Sequence, residues 1–180
     1  YESPLRLVGS EMCIRDRFLG VFVFAGIHAY MDGMEKSADK YYKDNNFQDI
    51  WLSGENFSTE DLEKVKNTEN VKDAERILTI RTELENKDGV TLDTNFIESN
   101  NISKMYVVDG EEFSKDKKGV WFDSYLAKNL DLKVGDEITV TYQNMKITEK
   151  IAGLVNTPDH VYFVKDDTEI FPTHKNYGYM

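Results

Sequence analysis

An uncharged run near the amino terminus constrains this chain more than any other feature. Residues 18–27 read FLGVFVFAGI, without a charged side chain, and only His28 interrupts the apolar pattern before Tyr30 and Met31. Such a run needs an apolar environment, and roughly 20 residues of this kind would cross about 30 Å of hydrocarbon. Residues 18–31 alone are too short for that, so the preceding segment decides how the run is interpreted.

Residues 1–17 resemble adaptor sequence. The stretch 7–17, LVGSEMCIRDR, matches one reading frame of a transposase adaptor used to prepare sequencing libraries, and eleven consecutive residues agree. Segments of this origin are excluded before a fold is inferred. We therefore interpret residues 1–17 as an adaptor artefact, and Cys13, the single cysteine, is excluded with them. The remaining residues then have no catalytic thiol, zinc knuckle or disulfide framework.

The adaptor boundary changes the interpretation of the apolar run. We expect a run that begins at an artificial junction to have lost its first half, so residues 18–31 are predicted to be the outer end of a transmembrane helix. Residues 32–43 are charged but keep apolar positions at helical spacing, which predicts a stalk ending at Asn45-Asn46. Residues 18–46 thus form a partial transmembrane helix and stalk, with residues after about 32 on the extracytoplasmic side. A buried core helix and a signal-peptide core are the alternatives.

Acidic residues outnumber basic ones in this chain. There are 33 Asp and Glu against 22 Lys and Arg, a net charge of −11, and residues 1–17 contribute both signs equally. A field of this sign repels phosphate backbones, so we expect no nucleic-acid partner. The hydrophobic fraction of 40%, with 12% aromatic residues, predicts a packed domain.

Residues 47–110 are predicted to form a first α+β lobe. Ser58 and Asp61 have the spacing of a helix cap, and alternating apolar residues predict a hairpin. The predicted elements are a strand over 47–52, a helix over 59–66, a hairpin with its turn at 87–89 and a central strand over 105–108.

A polar connection over 111–119 precedes a second α+β lobe, predicted over 120–165. Its elements are a strand over 119–122, a helix over 124–129 capped by Asp123, a hairpin turning at Gln143-Asn144, and strands over 153–155 and 161–164. Residues 166–180 are predicted to be a truncated tail. The fold class is therefore α+β, with an amino-terminal transmembrane and stalk helix followed by a two-lobed, mixed-sheet extracytoplasmic domain.

The second lobe carries a resemblance to a known family. Residues 121–140, WFDSYLAKNLDLKVGDEITV, followed by IAGLV at 151–155, resemble the extracytoplasmic, MacB-like periplasmic core domain of FtsX-like or MacB-like ABC transporter permeases. In that family a strand leads into a short helix, a Gly-Asp turn, a hairpin and a further strand. Gly135 permits a turn with positive φ, and Asp136 can bond locally. The apolar run and stalk are similar to the first membrane helix of such permeases, so the likeness covers nearly all of residues 18–180.

This resemblance implies a fragment of an ABC permease subunit at the cell membrane. Its outer domain would transmit motion driven by ATP hydrolysis to a substrate or partner protein. The implied partners are an ABC ATPase subunit, the other permease half or a second permease, and an unidentified extracytoplasmic substrate or protein. The chain has no G-x-x-x-x-G-K-[ST] sequence, so ATP hydrolysis is expected in the partner. A membrane-anchored binding or sensor domain with a single helix is the first alternative, and a secreted hydrolase is the second.

Side chains that could carry chemistry are scattered along the sequence. His28, His160 and His174 lack the spacing of a metal site, and we interpret them as structural or surface residues. Trp51 and Trp121 are predicted to be core or lobe-contact residues. Two acidic clusters without EF-hand spacing are interpreted as solvated faces, with a calcium site as the alternative: Asp109, Glu111 and Glu112, and Asp166, Asp167 and Glu169. The sequence thus predicts no catalytic, cofactor-binding or metal-binding residue, no cofactor and no enzymatic activity of its own.

Overall fold

Two units make up the chain, a long helix and a mixed sheet with short helices. The computed structural model describes residues 5–162, 164–165, 168, 170 and 175–180, with side chains from residue 14 onward. The units are Tyr1–Lys43 and Asp44–Met180. The α+β class predicted from the sequence is confirmed, as is a long amino-terminal helix that precedes a mixed sheet.

The described elements are named here in chain order. They are α1 (Leu5–Asp44), α2 (Thr59–Lys66), β1 (Ile77–Leu84), β2 (Thr91–Ile97), β3 (Tyr106–Gly110), β4 (Val120–Asp123), α3 (Ser124–Leu130), β5 (Glu137–Tyr142), β6 (Met145–Asn156), a 3₁₀ helix (Pro158–His160) and β7 (Tyr177–Tyr179).

Helix α1 is continuous through the apolar run and the charged stalk. It ends at Asp44, before Asn46 adopts a left-handed conformation with φ of 49°, so the predicted end is confirmed. Successive residues of an α-helix are rotated by about 100° about its axis, so the apolar residues 18–24 place side chains on every side of the helix. These large apolar side chains are exposed. Among the described helices, none combines the length and the apolar character needed to cross a membrane.

Helix α2 has the cap and the bounds that the sequence predicts. Ser58 Oγ accepts a hydrogen bond from the Asp61 amide at 3.1 Å, and the Asp61 carboxylate accepts bonds from the Ser58 hydroxyl at 2.7 Å and the Ser58 amide at 3.1 Å. The bonds from Ser58, with a smaller effect of Lys64, lower the pKa of the Asp61 carboxyl to about 2. This carboxylate therefore belongs to a capping box.

The strand predicted over residues 47–52 is wrong. These residues are irregular, and no strand of the described residues pairs with them. Ile50 is 74% exposed, and Trp51 and Leu52 are each 60% exposed. Without a neighbouring strand, the alternating pattern has no sheet in which to bury one face. The interpretation of Trp51 as a core or lobe-contact residue is wrong for the same reason.

One mixed sheet of seven strands runs through residues 77–179. The order is β3-β6-β5-β1-β2-β7, and β4 also pairs with β6. The pairs β1–β2, β1–β5, β5–β6 and β3–β6 are antiparallel, and β2–β7 and β4–β6 are parallel. Residues 145–150 of β6 pair with β5, whereas residues 151–156 lie between β3 and β4. The polar connection over 111–119 therefore joins two strands that share β6 as a neighbour.

Strand β3 lies at an edge of the sheet, so its predicted central position is wrong. Tyr106 and Val108 are 55% and 53% exposed, and the register shifts between Val107 and Asp109. Apolar residues on both faces indicate a central strand only where both faces are covered. Here Val107 packs on a core cluster and its neighbours face solvent.

The core forms where α3 packs under the strands. Leu126 of α3 is fully buried with Phe122 of β4 and Leu92 of β2. The partly buried side chains of Leu130 and Leu132 pack against this cluster. Burying such side chains removes large apolar areas from water and provides most of the favourable free energy of the sheet unit.

The turns around α3 also follow the sequence prediction. The Tyr125 amide donates to Asp123 Oδ1 at 2.9 Å, which caps the helix. Gly135 has a φ of 94°, a left-handed conformation that favours glycine. The Lys133 amide donates to Asp136 Oδ2 at 2.8 Å, so the local bond expected of Asp136 is confirmed.

Strand β7 lies inside the segment that the sequence predicts to be a tail. Tyr177 and Tyr179 are 2% and 5% exposed, so the prediction is wrong for this strand. A Cβ atom at Gly178 would lie 2.7 Å from Leu126 Cδ2, which shows how closely β7 lies on α3. Three residues are too few for a visible alternating pattern. The strand predicted over 161–164 falls partly outside the described residues, and its described residues are not in a strand.

We expect Leu126→Ala to lower the free energy of unfolding by about 2–5 kcal/mol, because it leaves a cavity beneath the sheet. The matched control is Lys128→Ala, an exposed position on the same helix that should change stability by no more than about 0.5 kcal/mol. Urea denaturation followed by tryptophan fluorescence measures both. Equal losses in the two variants would contradict the burial of Leu126.

Candidate functional site

The three histidines fall in separate segments of the sequence. His28 lies in α1, His160 lies in the 3₁₀ helix, and His174 is outside the described residues. His28 has an aromatic neighbour one turn away, with 4.2 Å between its ring centroid and that of Phe24. Within the part of the chain that the structure describes, no group of three His, Cys, Asp or Glu side chains could hold a metal ion.

His160 packs against the last strand of the sheet. Its ring stacks on Tyr179 with 4.2 Å between centroids, and its Nδ1 lies 2.6 Å from Thr157 Oγ1. Burial lowers the pKa of His160, while the carboxylates of Asp159 and Asp93 act in the opposite direction. The neutral imidazole is therefore the form that fits this position in the folded chain.

A second polar cluster joins β1, β2 and β7. Arg81 Nε donates to Asp93 Oδ1 at 3.0 Å, and the Tyr177 hydroxyl lies 2.6 Å from both Asp93 Oδ2 and Arg81 Nη2. The Arg81 guanidinium also lies 5.1 Å from the centroid of the Tyr177 ring. Burial and the bond to Asp93 raise the pKa of the Tyr177 hydroxyl, and the hydrogen bond to Asp93 raises the pKa of Arg81. These groups bond to one another, so the cluster stabilises β7 in the sheet.

The acidic cluster near β3 is solvated, as predicted. Glu111 forms an ion pair with Lys117 at 2.6 Å, with both side chains largely exposed. Asp109 Oδ1 accepts a hydrogen bond from the Gly110 amide, a local turn contact. The second acidic cluster, Asp166, Asp167 and Glu169, lies outside the described residues.

Trp121 is a core residue, which confirms its predicted role. It is 7% exposed, its indole N–H donates to the Glu111 carbonyl at 2.7 Å, and Phe113 meets its ring edge-on at 4.9 Å. An open groove of about 560 Å³ passes over this pair, with Lys115 and Lys117 on its rim. The low exposure of Trp121 leaves little of its ring available as a binding platform.

A group of long-range hydrogen bonds outside the strands lies where the sheet unit begins. The Lys104 amide donates to the Asn45 carbonyl at 2.8 Å, and the Ser103 amide donates to the Asn46 carbonyl at 2.9 Å. Asn46 Nδ2 donates to the Asn101 carbonyl at 2.7 Å, and the Gln48 amide donates to Ser103 Oγ at 3.3 Å. Residues 45–48 are thus bonded to residues 101–104. We call these two segments the anchor.

The anchor is held in an unusual backbone conformation. Asn46 has a φ of 49° and Ser103 a φ of 46°, and Ser103 is buried. A left-handed conformation costs a non-glycine residue about 1–2 kcal/mol, so the surrounding bonds must offset this cost. Sequence patterns do not reveal this site because most of its bonds involve backbone atoms. The two consecutive asparagines were its only signal, since asparagine tolerates such a conformation.

A single carboxylate fixes the loop that carries the anchor. Glu75 Oε1 accepts a hydrogen bond from the Asn101 amide at 3.1 Å and another from the Ser99 hydroxyl, and its Oε2 accepts one from the Ile102 amide at 3.3 Å. Hydrogen bonds to a charged acceptor are stronger than neutral ones. Glu75 therefore orders residues 99–102, which include the first two residues of the second anchor segment.

Comparisons with known proteins do not place the chain in a family. No protein-family model matches the chain, and no curated protein matches it significantly.

We expect the free energy of unfolding to fall as the pH drops below about 6.5, the pKa of an unfolded histidine, until the pH passes the lower folded-state pKa of His160. In this interval the unfolded chain binds more protons than the folded chain. His160→Gln should remove this component, and His28→Gln, which changes a histidine in α1, should retain it. Denaturation across a pH series measures the effect, and an undiminished fall in His160→Gln would contradict it.

We expect Glu75→Ala to speed hydrogen exchange at the amides of Asn101 and Ile102 by about tenfold or more, because both lose their acceptor. Amides of the β5–β6 hairpin should exchange at the parent rate. The control is Glu69→Ala, an exposed carboxylate in the turn after α2. Parent-like exchange at both loop amides would show that Glu75 does not order the loop.

Proposed function

We propose that this chain is part of an ABC transporter permease subunit, with residues 44–180 as its extracytoplasmic domain. Residues 18–31 are the outer end of the first membrane helix, and residues 32–44 are the stalk. ATP hydrolysis in a partner ATPase subunit moves the helix, and the domain transmits that motion to an extracytoplasmic substrate or partner protein. The observation that carries the proposal is the anchor, where the residues that follow α1 are bonded to the sheet unit.

The anchor offers a short path from the end of the helix into the sheet. Asn45 and Asn46 directly follow the last residue of α1, and their carbonyls bond to Ser103 and Lys104. β3 begins two residues after Lys104 and pairs along its length with β6. The residues that follow α1 are thus joined to β3 and, through it, to β6 by hydrogen bonds and a few covalent bonds, and in this proposal a displacement enters the sheet along that path. Packed interiors have low compressibility and pass such strain onward.

The surface of α1 supports a membrane setting for its apolar part. A helix that is apolar on all sides requires cover from lipid or from other protein. Phe18, Phe22 and Phe24 are each at least 66% exposed in this chain. Lipid, or the further helices of a permease, would supply the cover that these side chains lack.

The local structure of the family-like sequence block supports the same proposal. Residues 121–142 form a strand, a short helix, a glycine turn and the first strand of a hairpin, in the order that the resemblance implies, whereas residues 151–155 belong to β6, the second strand of that hairpin, and not to a separate strand. In this proposal the two lobes are the groups β1–β3 and β4–β6. Because residues 151–156 of β6 pair with both β3 and β4, movement of one lobe is coupled to the other.

The genomic sequence on both sides of this segment tests the proposal. Long reads across the locus should recover a completed membrane helix with a basic cytosolic flank before Phe18. They should also recover further apolar segments of about 20 residues and a neighbouring gene for an ABC ATPase. A cleavable signal before Phe18 together with a stop codon soon after Met180 would overturn it, because a secreted domain could not couple to an ATPase in the cytosol.

A further inference from the structure

Three aspartates of this chain are followed directly by glycine, at 32–33, 88–89 and 109–110. Such a pair can rearrange without an enzyme, because glycine has no Cβ to keep its amide nitrogen away from the aspartate side chain. The nitrogen bonds to the carboxyl carbon Cγ, the amide proton and the carboxyl hydroxyl leave as water, and a succinimide ring forms. Water then opens this ring at either carbonyl. One opening returns aspartate, and the other gives isoaspartate, whose backbone is one methylene longer.

Secondary structure holds the backbone of two of these pairs. Asp32 and Gly33 lie inside α1, where hydrogen bonds between successive turns fix each peptide group. Asp109 and Gly110 lie in β3 and pair with β6, and the Gly110 amide is bonded to Asp109 Oδ1 at 2.9 Å. In both pairs the peptide group must first leave its helix or strand, and the Gly110 bond must break, before the nitrogen can bond to Cγ.

The pair at 88–89 lies in the turn between β1 and β2 and is not held in this way. The Val90 amide donates to the Lys87 carbonyl at 3.2 Å and closes the turn. Among the described residues, none forms a hydrogen bond with the peptide group between Asp88 and Gly89 or with the Asp88 carboxylate. Both residues are exposed, and a Cβ atom placed on Gly89 would meet no atom within 4 Å. This peptide group can therefore rotate while the turn stays closed.

We propose that Asp88 is a site of spontaneous isoaspartate formation, and that the product loosens the hairpin of β1 and β2. The added methylene lies inside the turn that Lys87 and Val90 close. Val90 is 5% exposed, and its carbonyl accepts a hydrogen bond from the Leu84 amide at 3.0 Å, so a longer turn acts directly on the first core residue of β2's leading segment. Turn length sets the register of a hairpin, and a mismatch weakens its pairing. The isoaspartyl carboxylate is also the chemical group that an isoaspartyl carboxyl methyltransferase modifies.

The test ages the full chain in a neutral detergent at mildly acidic pH for several weeks. Peptide mass spectrometry with electron-transfer fragmentation then locates isoaspartate, which has the same mass as aspartate. We expect position 88 to contain about tenfold more isoaspartate than position 32 or 109, because those two pairs react only after local opening. Asp88→Glu should form none at this position, since its side chain would have to close a larger ring. Asp109→Glu is the matched control and should accumulate isoaspartate at 88 at the parent rate.

Hydrogen exchange at the amides of Leu84 and Val90 measures the effect on the hairpin, because both donate to the bonds around the turn. In aged chains that carry isoaspartate at 88 these amides should exchange about tenfold faster than in fresh chains. Aged Asp88→Glu should exchange like fresh Asp88→Glu, which separates this effect from other damage. Isoaspartate that accumulates equally at the three pairs, or faster at 32 or 109, would overturn the assignment of the site. Unchanged exchange in the modified chains would overturn its effect on the hairpin.

Discussion

The pairing of β6 is the constraint on which the sheet unit depends. The first half of this 12-residue strand pairs with β5, and its second half pairs with both β3 and β4. Its second half passes through the interior, where Ile151 and Val155 are almost fully buried. At Gly153 a Cβ atom would lie 2.8 Å from Trp121 Cδ1, so the close approach of β4 requires a glycine here. Any shift of β6 therefore moves β3, β4 and β5 together.

The anchor and the polar cluster around Arg81 stabilise different parts of the sheet unit by different kinds of bonds. The cluster joins three strands through side chains that satisfy one another in a half-buried setting, where an unpaired charge would be costly. The anchor instead uses backbone groups and two left-handed residues, Asn46 and Ser103, to attach the first residues of the unit. An attachment of this kind has one geometry.

Local signals in the sequence predicted the parts of the fold that depend on local bonds. Ser58 with Asp61, Asp123 and Gly135 each specify a cap or turn within a few residues, and the structure has them where expected. Elements that depend on distant partners were missed or misplaced: no strand in the described part of the chain pairs with residues 47–52, and β3 lies at an edge. The anchor could not be predicted from the sequence because most of its hydrogen bonds join backbone carbonyl and amide groups, which nearly every residue has. The tertiary fold determines which of these groups bond to one another.

The position of β7 has a consequence for how the chain folds. Its Tyr177 bonds to Asp93, a residue 84 positions earlier, and Gly178 completes the packing over Leu126. Contacts between such distant residues slow folding, because the loop between them must close before any stabilising bond forms. During synthesis β2 emerges long before its parallel neighbour, and its far edge stays open in the meantime. The nascent sheet is therefore most open to mispairing in the interval between these two strands.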